Sequence, residues 1–366
     1  MKEQKNGKFY AGKLLSGSLA MMLSSMSLKL VKLFILPIMT YYLSPKDFGI
    51  IASIKMVQGF LLLLYNPGIV SGTTRLFYDT EDEQERKTLI GSSLLFFLGF
   101  SSIIALILIL TGDFFFNKIF NEFELYPYGI IAILISILIQ PKRLWSALLT
   151  FQFKVKKIAL ISIIQMIIEV SISLYLVTVI VIGVEGRVIG MIIGVLFLFI
   201  VSLITIFKYT EGKIRYFSFG KIKEILKFSL PLAPAIWAYS ALDIADRFLI
   251  EHFIGLDSLG IYSIAYILSS MPLFFSVGFR KMWNPIFYEN MNNENYTIIN
   301  SLLKVFVIFN SFLCSFLILF SEEIVFFILS KEFSIAKTII PWVTLGVFFL
   351  GLLPISSSFI SYEKKF

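Results

Sequence analysis

The chain has little charge, one cysteine and one histidine. Only 15% of its 366 residues are Asp, Glu, Lys or Arg, against about 25% in a soluble domain. The single cysteine, Cys314, lies in an apolar run, so no disulfide can form within the chain. His252 is the only histidine, so no Cys/His metal site can be assembled. No G-x-x-x-x-G-K-[ST] loop is present, which argues against ATP hydrolysis by the chain itself. No polar segment between the apolar runs is long enough to house a glycosyltransferase or polymerase site, and no loop pairs carboxylates at a catalytic spacing. The expectation is a protein that is not an enzyme, with no catalytic residues, no cofactor and no metal.

What is present is hydrocarbon. Hydrophobic residues make up 57% of the chain, and the mean hydropathy is +0.86. The runs Leu94–Leu110, Ile130–Ile139 and Gly190–Ile206 carry no charge. Apolar stretches of about 18 residues or more read as membrane-spanning helices. The expected fold is therefore an all-α integral membrane protein with about ten transmembrane helices. Their approximate limits are 14–43, 48–74, 88–111, 126–150, 157–183, 186–208, 226–250, 257–282, 297–320 and 335–360. The first stretch is too long for a cleavable signal peptide, and Lys29 and Lys32 interrupt it.

The net charge of +8 would suggest nucleic acid in a soluble chain. Here the bases sit between apolar runs, so membrane orientation accounts for them and no nucleic-acid partner is expected. With the N-terminus cytoplasmic, the inside connections carry twenty bases and the outside ones five. That bias places both termini in the cytoplasm.

A weak internal repeat relates Leu43–Tyr78 to Ile254–Tyr288. Gly49 matches Gly260 at an offset of 211, and Phe77-Tyr78 matches Phe287-Tyr288 at 210. Six expected spans separate the copies, so they run in the same sense, as in two-lobed transporters with parallel repeats around a central cavity. The expected organisation is a six-helix lobe at 1–208, a basic cytoplasmic linker at 209–225 and a second lobe of about four helices at 226–366.

Four segments carry a resemblance: Tyr42–Ile50 (YLSPKDFGI), Phe228–Pro234 (FSLPLAP), Asp246–Ile250 (DRFLI) and Gly255–Ser263 (GLDSLGIYS). In this order and spacing the chain resembles the polysaccharide biosynthesis flippases of the multidrug/oligosaccharidyl-lipid/polysaccharide exporter superfamily. The resemblance implies translocation of polyprenyl-diphosphate-linked oligosaccharides, such as O-antigen or capsule repeat units, across the bacterial cytoplasmic membrane. It also implies contact with polysaccharide polymerase or assembly proteins, besides the lipid bilayer. Such proteins have twelve or fourteen spans, so ten would leave the second lobe incomplete. The alternatives are a cation-coupled multidrug exporter of the same superfamily and a non-transporting fragment.

Charged residues inside spans are costly and mark functional positions. Lys29 and Lys32 share a face of the first span with Ser18 and Ser25. A basic stripe facing a water-filled cavity suits a diphosphate; the alternatives are pairing with an acid such as Glu169, or snorkelling. Lys55, Arg143 and Arg247 complete the candidate cavity cations. Arg143 follows Pro141 and Lys142, where a kink is expected, and snorkelling is its rival reading. Glu169 lies mid-span with Ser162, Gln165 and Ser173 on its face; it reads either as an ion-coupling carboxylate or as half of an ion pair. Asp243 and Asp246 are the other ion-coupling candidates. Asp243 also stands four residues before Arg247, an arrangement that suits a local salt bridge; the resemblance carries Asp246 and Arg247 to the cavity mouth. Gly186, Gly190 and Gly194 form a small-residue ridge that permits close helix packing. The acidic stretch Asp79–Glu85 reads as a solvated loop.

Overall fold

Asp82 starts the longest described helix: its carboxylate accepts the Gln84 N–H at 3.1 Å, while Glu83 and Glu85 in the first turn and Lys118 in the last complement the helix dipole. The computed structural model describes residues 30–31, 33–212 and 216–363. Among them there is no strand. The helices are α1 (Leu33–Tyr42), α2 (Pro45–Tyr65), α3 (Ile69–Asp79), α4 (Glu83–Ile119), α5 (Ile130–Leu138) and α6 (Gln140–Phe151). There follow α7 (Val155–Leu174), α8 (Gly183–Tyr209), α9 (Phe219–Ser229), α10 (Ala233–Phe253) and α11 (Leu256–Ser269). The last are α12 (Pro272–Asn292), α13 (Tyr296–Leu319), α14 (Ser321–Ile328) and α15 (Ala336–Tyr362). Single π-helical turns precede α5, at Leu125–Gly129, and follow α7, at Tyr175–Val179.

Proline sets the breaks. Pro67 lies between α2 and α3, where Gly68 adopts φ +79°, a left-handed conformation that a β-carbon disfavours. Pro141 stands in the first turn of α6, just past the interruption at Ile139. Pro231 occupies a 3₁₀ turn, Leu230–Leu232, between α9 and α10. Pro272 opens α12, and α11 and α12 meet at a bend of 44°. A proline cannot donate the interior helix hydrogen bond, so these positions end or bend a helix. Ser93, Ser101, Ser136 and Thr205 instead return their hydroxyl protons to the carbonyl four residues earlier, which hides polar groups inside apolar helices.

Seven described helical stretches are long and apolar enough to cross a membrane: 45–65, 83–114, 125–151, 155–179, 183–209, 296–319 and 336–362. The bent pair α11–α12 would be an eighth. The protein is thus a multi-pass membrane protein. Of the ten expected stretches, the first is described only at its end, as the short α1. The seventh coincides with α10, which carries Asp243, Asp246, Arg247 and Glu251 in 21 residues, more charge than an independently spanning helix holds.

The described chain forms two compact units. One comprises residues 46–259; the other joins residues 30–31 and 33–45 to 260–363. In the first, Phe77, Leu89, Phe97, Trp145, Leu149 and Leu198 form the centre of a core shared by α3, α4, α6 and α8. In the second, Trp283 and Phe287 of α12 pack with Ile299 and Phe306 of α13 and Ile355 of α15. Rings stack along α12, with Phe279–Trp283 at 5.7 Å and Trp283–Phe287 at 5.2 Å.

The acidic stretch is not simply solvated. Glu85 pairs with Lys221, which also bonds Glu224 at 2.9 Å, and Lys87 pairs with Glu211 at 2.6 Å. The Ser218 N–H donates to Ser92 Oγ at 2.9 Å, and Gly91 gives close access to the Tyr216 carbonyl. The segment expected to be a linker is therefore fastened along the start of α4.

Candidate functional site

Three helices of the first unit, α2, α4 and α10, line a half-open cavity of about 700 Å³. Its wall is hydrocarbon and aromatic: Met56 and Phe60 from α2, Leu108 and Phe116 from α4, Trp237 and Phe248 from α10. Gly59 lets α10 approach α2, since a β-carbon there would stand 3.1 Å from Ile244 Cδ1. The Trp237 indole N–H donates to the Leu63 carbonyl at 3.1 Å, tying the two helices together.

The wall helices carry several of the residues singled out from sequence. Lys55 precedes the lining Met56 on α2 and is exposed. Asp246 and Arg247 stand between the lining Ala245 and Phe248 on α10. They are half-buried and pair with one another, Arg247 Nη1 to Asp246 Oδ1 at 3.4 Å. The Arg247 N–H also donates to Asp246 Oδ1 at 2.7 Å. Asp243 is one turn earlier on α10. The cavity is thus flanked by helices that bear both cations and carboxylates.

Two other expected residues lie elsewhere in the same unit. Arg143, half-buried on α6, has no hydrogen-bond or ion-pair partner among the described residues. Glu169 on α7 is paired with Arg187 of α8, Nη2 to Oε1 at 2.8 Å. Gln165 Nε2 donates to its other oxygen at 2.7 Å, and Arg187 Nη1 donates to Ser173 Oγ at 2.9 Å. Among the described residues the partner of Glu169 is therefore Arg187, one of the five bases expected outside. The glycine ridge makes this pair possible. A β-carbon on Gly190 would collide with Ser173 Oγ, and one on Gly194 would stand 2.9 Å from Glu169 Cβ. Lys29 and Lys32, with Ser18 and Ser25, lie outside the described residues.

Glu251 escaped the sequence reading. It is fully buried in the last turn of α10. Its carboxylate accepts the backbone N–H groups of Asn121, Glu122 and Phe123, at 3.1, 2.9 and 3.0 Å. Beside it, His252 Nδ1 lies 2.8 Å from the Ile119 carbonyl. The two residues clamp the turn that leaves α4 at one end of the cavity. Among the described residues no group of His, Cys, Asp and Glu could hold a metal ion.

The described residues thus make a helical, multi-pass membrane protein with an apolar cavity between helices that bear charge. A profile of the family described as polysaccharide biosynthesis protein matches residues 38–338. The chain belongs to this family. Solved structures share its fold. One is an inward-facing multidrug resistance MATE family transporter of the MOP superfamily, with TM-score 0.68, 14% identity, and coverage of 93% of this chain and 86% of that one. Another is an outward-facing MATE family transporter, with TM-score 0.58, 15% identity, and 95% and 82% coverage. A third is a MOP superfamily transporter from Pyrococcus furiosus whose pocket of reverse polarity suggests a different function, with TM-score 0.57, 14% identity, and 95% and 84% coverage. No curated protein matches the sequence. The family model gives the family, and the solved structures give the fold.

Proposed function

We propose that the protein flips polyprenyl-diphosphate-linked oligosaccharide units across the bacterial cytoplasmic membrane, with both termini in the cytoplasm. The observation that supports this reading is the cavity between α2, α4 and α10. A wall of hydrocarbon and aromatic rings suits an isoprenoid chain. The cations on its wall helices, Lys55 and Arg247, suit a diphosphate at membrane depth. Lys29 and Lys32 are proposed to add to that charge, and Arg143, without a partner among the described residues, is a further candidate for it. Of the three carboxylates considered for ion coupling, Glu169 already has a counter-charge in Arg187. Asp246 is likewise paired, with Arg247, and what favours Asp243 and Asp246 is their place on a cavity helix. Lobes at 1–208 and 226–366, joined through 209–225, would alternate access about this site.

The test is flipping of a polyprenyl-diphosphate-linked oligosaccharide in proteoliposomes. Filling the cavity with Ala241→Trp and Ala245→Trp is expected to stop flipping in a protein that still folds. Arg247→Gln is expected to slow flipping at least tenfold. Flipping at the parent rate by the filled variant would overturn the reading. Proton- or sodium-driven export of cationic drugs without lipid flipping would favour the multidrug exporter instead.

A further inference from the structure

A second pocket lies against the helix pair α7–α8 of the same unit, at the ends nearest residues 154 and 208. Its volume is about 450 Å³. Gln152, Lys154 and Lys157 form one side; Val201, Ile204, Thr205, Lys208 and Tyr209 form the other. We propose that this pocket binds the phosphate headgroup of an anionic bilayer phospholipid, with the acyl chains lying along α8.

Four observations carry the proposal. First, Lys154, Lys157 and Lys208 are exposed, and none forms an ion pair among the described residues. Lys154 Nζ bonds only a neutral amide, Gln152 Oε1, at 2.8 Å. The carboxylate of Glu83 is bonded to the hydroxyl of the lining Tyr209 and not to a lysine. A pocket with three cations and no paired acid attracts an anion. Second, Lys154 is the N-cap of α7 and makes no side-chain capping hydrogen bond. The first-turn N–H groups of α7 therefore lack a side-chain acceptor, and a phosphate oxygen can serve as one. Third, Val201, Thr205 and Lys208 recur at helical spacing along α8, so the pocket passes from charge to hydrocarbon along one helix face. Ile204 and Phe207 are about half exposed on the same helix, which gives acyl chains apolar surface to lie on. Fourth, α7 and α8 are both long and apolar enough to cross the membrane, so their ends sit at headgroup level. Basic pockets between helix ends at that level select anionic headgroups. The site is separate from the apolar cavity, and no lining residue is shared.

The test is lipid binding to the purified full chain in neutral detergent, read by native mass spectrometry and by thermal denaturation. Phosphatidylglycerol and cardiolipin are expected to bind and to raise the melting temperature; phosphatidylcholine is not. The variant Lys154→Gln/Lys157→Gln/Lys208→Gln is expected to bind phosphatidylglycerol about 100-fold more weakly, from about fivefold for each lysine. Its melting temperature without lipid should match that of the parent, because the three side chains are exposed. Should the triple variant fail to fold, Lys154→Gln and Lys208→Gln are read singly, each with an expected loss of about fivefold. The triple Lys→Arg variant should restore binding, and Lys331→Gln in the second unit should leave it unchanged. Equal binding of phosphatidylcholine, or unaltered binding by the Gln variants, would overturn the proposal. So would competition by inorganic pyrophosphate at the concentration of the lipid, which would mark a free-anion site. Tighter, lysine-dependent binding of polyprenyl diphosphate than of phosphatidylglycerol would also overturn it and would assign the pocket to the transported lipid.

Discussion

Gly49 lies directly against the carbonyl oxygen of Leu256, leaving no room for a β-carbon. The contact joins the segment YLSPKDFGI to GLDSLGIYS, the two copies of the weak internal repeat. Because the obstructing atoms are backbone, the neighbour cannot turn aside. Gly49→Ala is expected to cost about 1–3 kcal/mol and to lower the melting temperature. Gly99→Ala on α4, where nothing lies within 4 Å, should be neutral or slightly stabilising. Thermal denaturation of the two variants in parallel checks the pair.

Glu169 and Arg187 are each less than one-fifth exposed. Removing one partner strands the other charge. Glu169→Gln or Arg187→Gln is expected to cost about 3–5 kcal/mol, with most of the loss recovered in the double variant. A double-mutant cycle on melting temperatures measures the coupling. An additive result would show that the pair contributes nothing.

Glu251 satisfies three backbone donors at once. Glu251→Ala removes the acceptor of all three and leaves the Phe123 N–H buried without one. The expected cost is about 1–3 kcal/mol, with faster amide exchange confined first to Asn121–Phe123. Unchanged exchange there would contradict the clamp.

Lys221 sits between Glu85 and Glu224. Hydrogen bonding to Glu85, then to Glu224, holds its ammonium above the usual lysine value, against a smaller opposing effect of burial. A raised folded value means that the stabilisation is complete below about pH 10.4. It is lost as pH rises through the folded value. Lys221→Ala should cost less than about 1 kcal/mol because the pairs are partly solvated. The difference from the parent should shrink in high salt and as pH rises through the folded value. Amide exchange of residues 216–227 reports it.

Long runs without charge made α4 and α8 legible from sequence, and Pro141, where a kink was expected, stands just past the interruption at Ile139. The glycine ridge of α8 announced close packing, which proved to be against Glu169 and Ser173. The identity of Glu169's partner was not legible, because Arg187 stood at the edge of an apolar run where a loop charge is the ordinary reading. Glu251 left no local signal, since its donors lie about 130 residues away in sequence. The cavity was hidden for a different reason: Met56, Phe60 and Phe248 look like any core residues until the helices that carry them are placed.

The Glu251 clamp also sets a schedule. The turn at Asn121–Phe123 is synthesised long before α10, so its three N–H groups must wait for an acceptor that has not yet left the ribosome. Closure of the first unit then depends on the entry into the bilayer of α10, a helix whose charges fall in its interior and last turns. Because a charge near the centre of a helix opposes insertion, α10 would gain by arriving after α2 and α4 are in place to receive it. Late arrival is the ordinary position of a helix that is completed by its partners, and it makes this segment the step on which maturation of the unit turns.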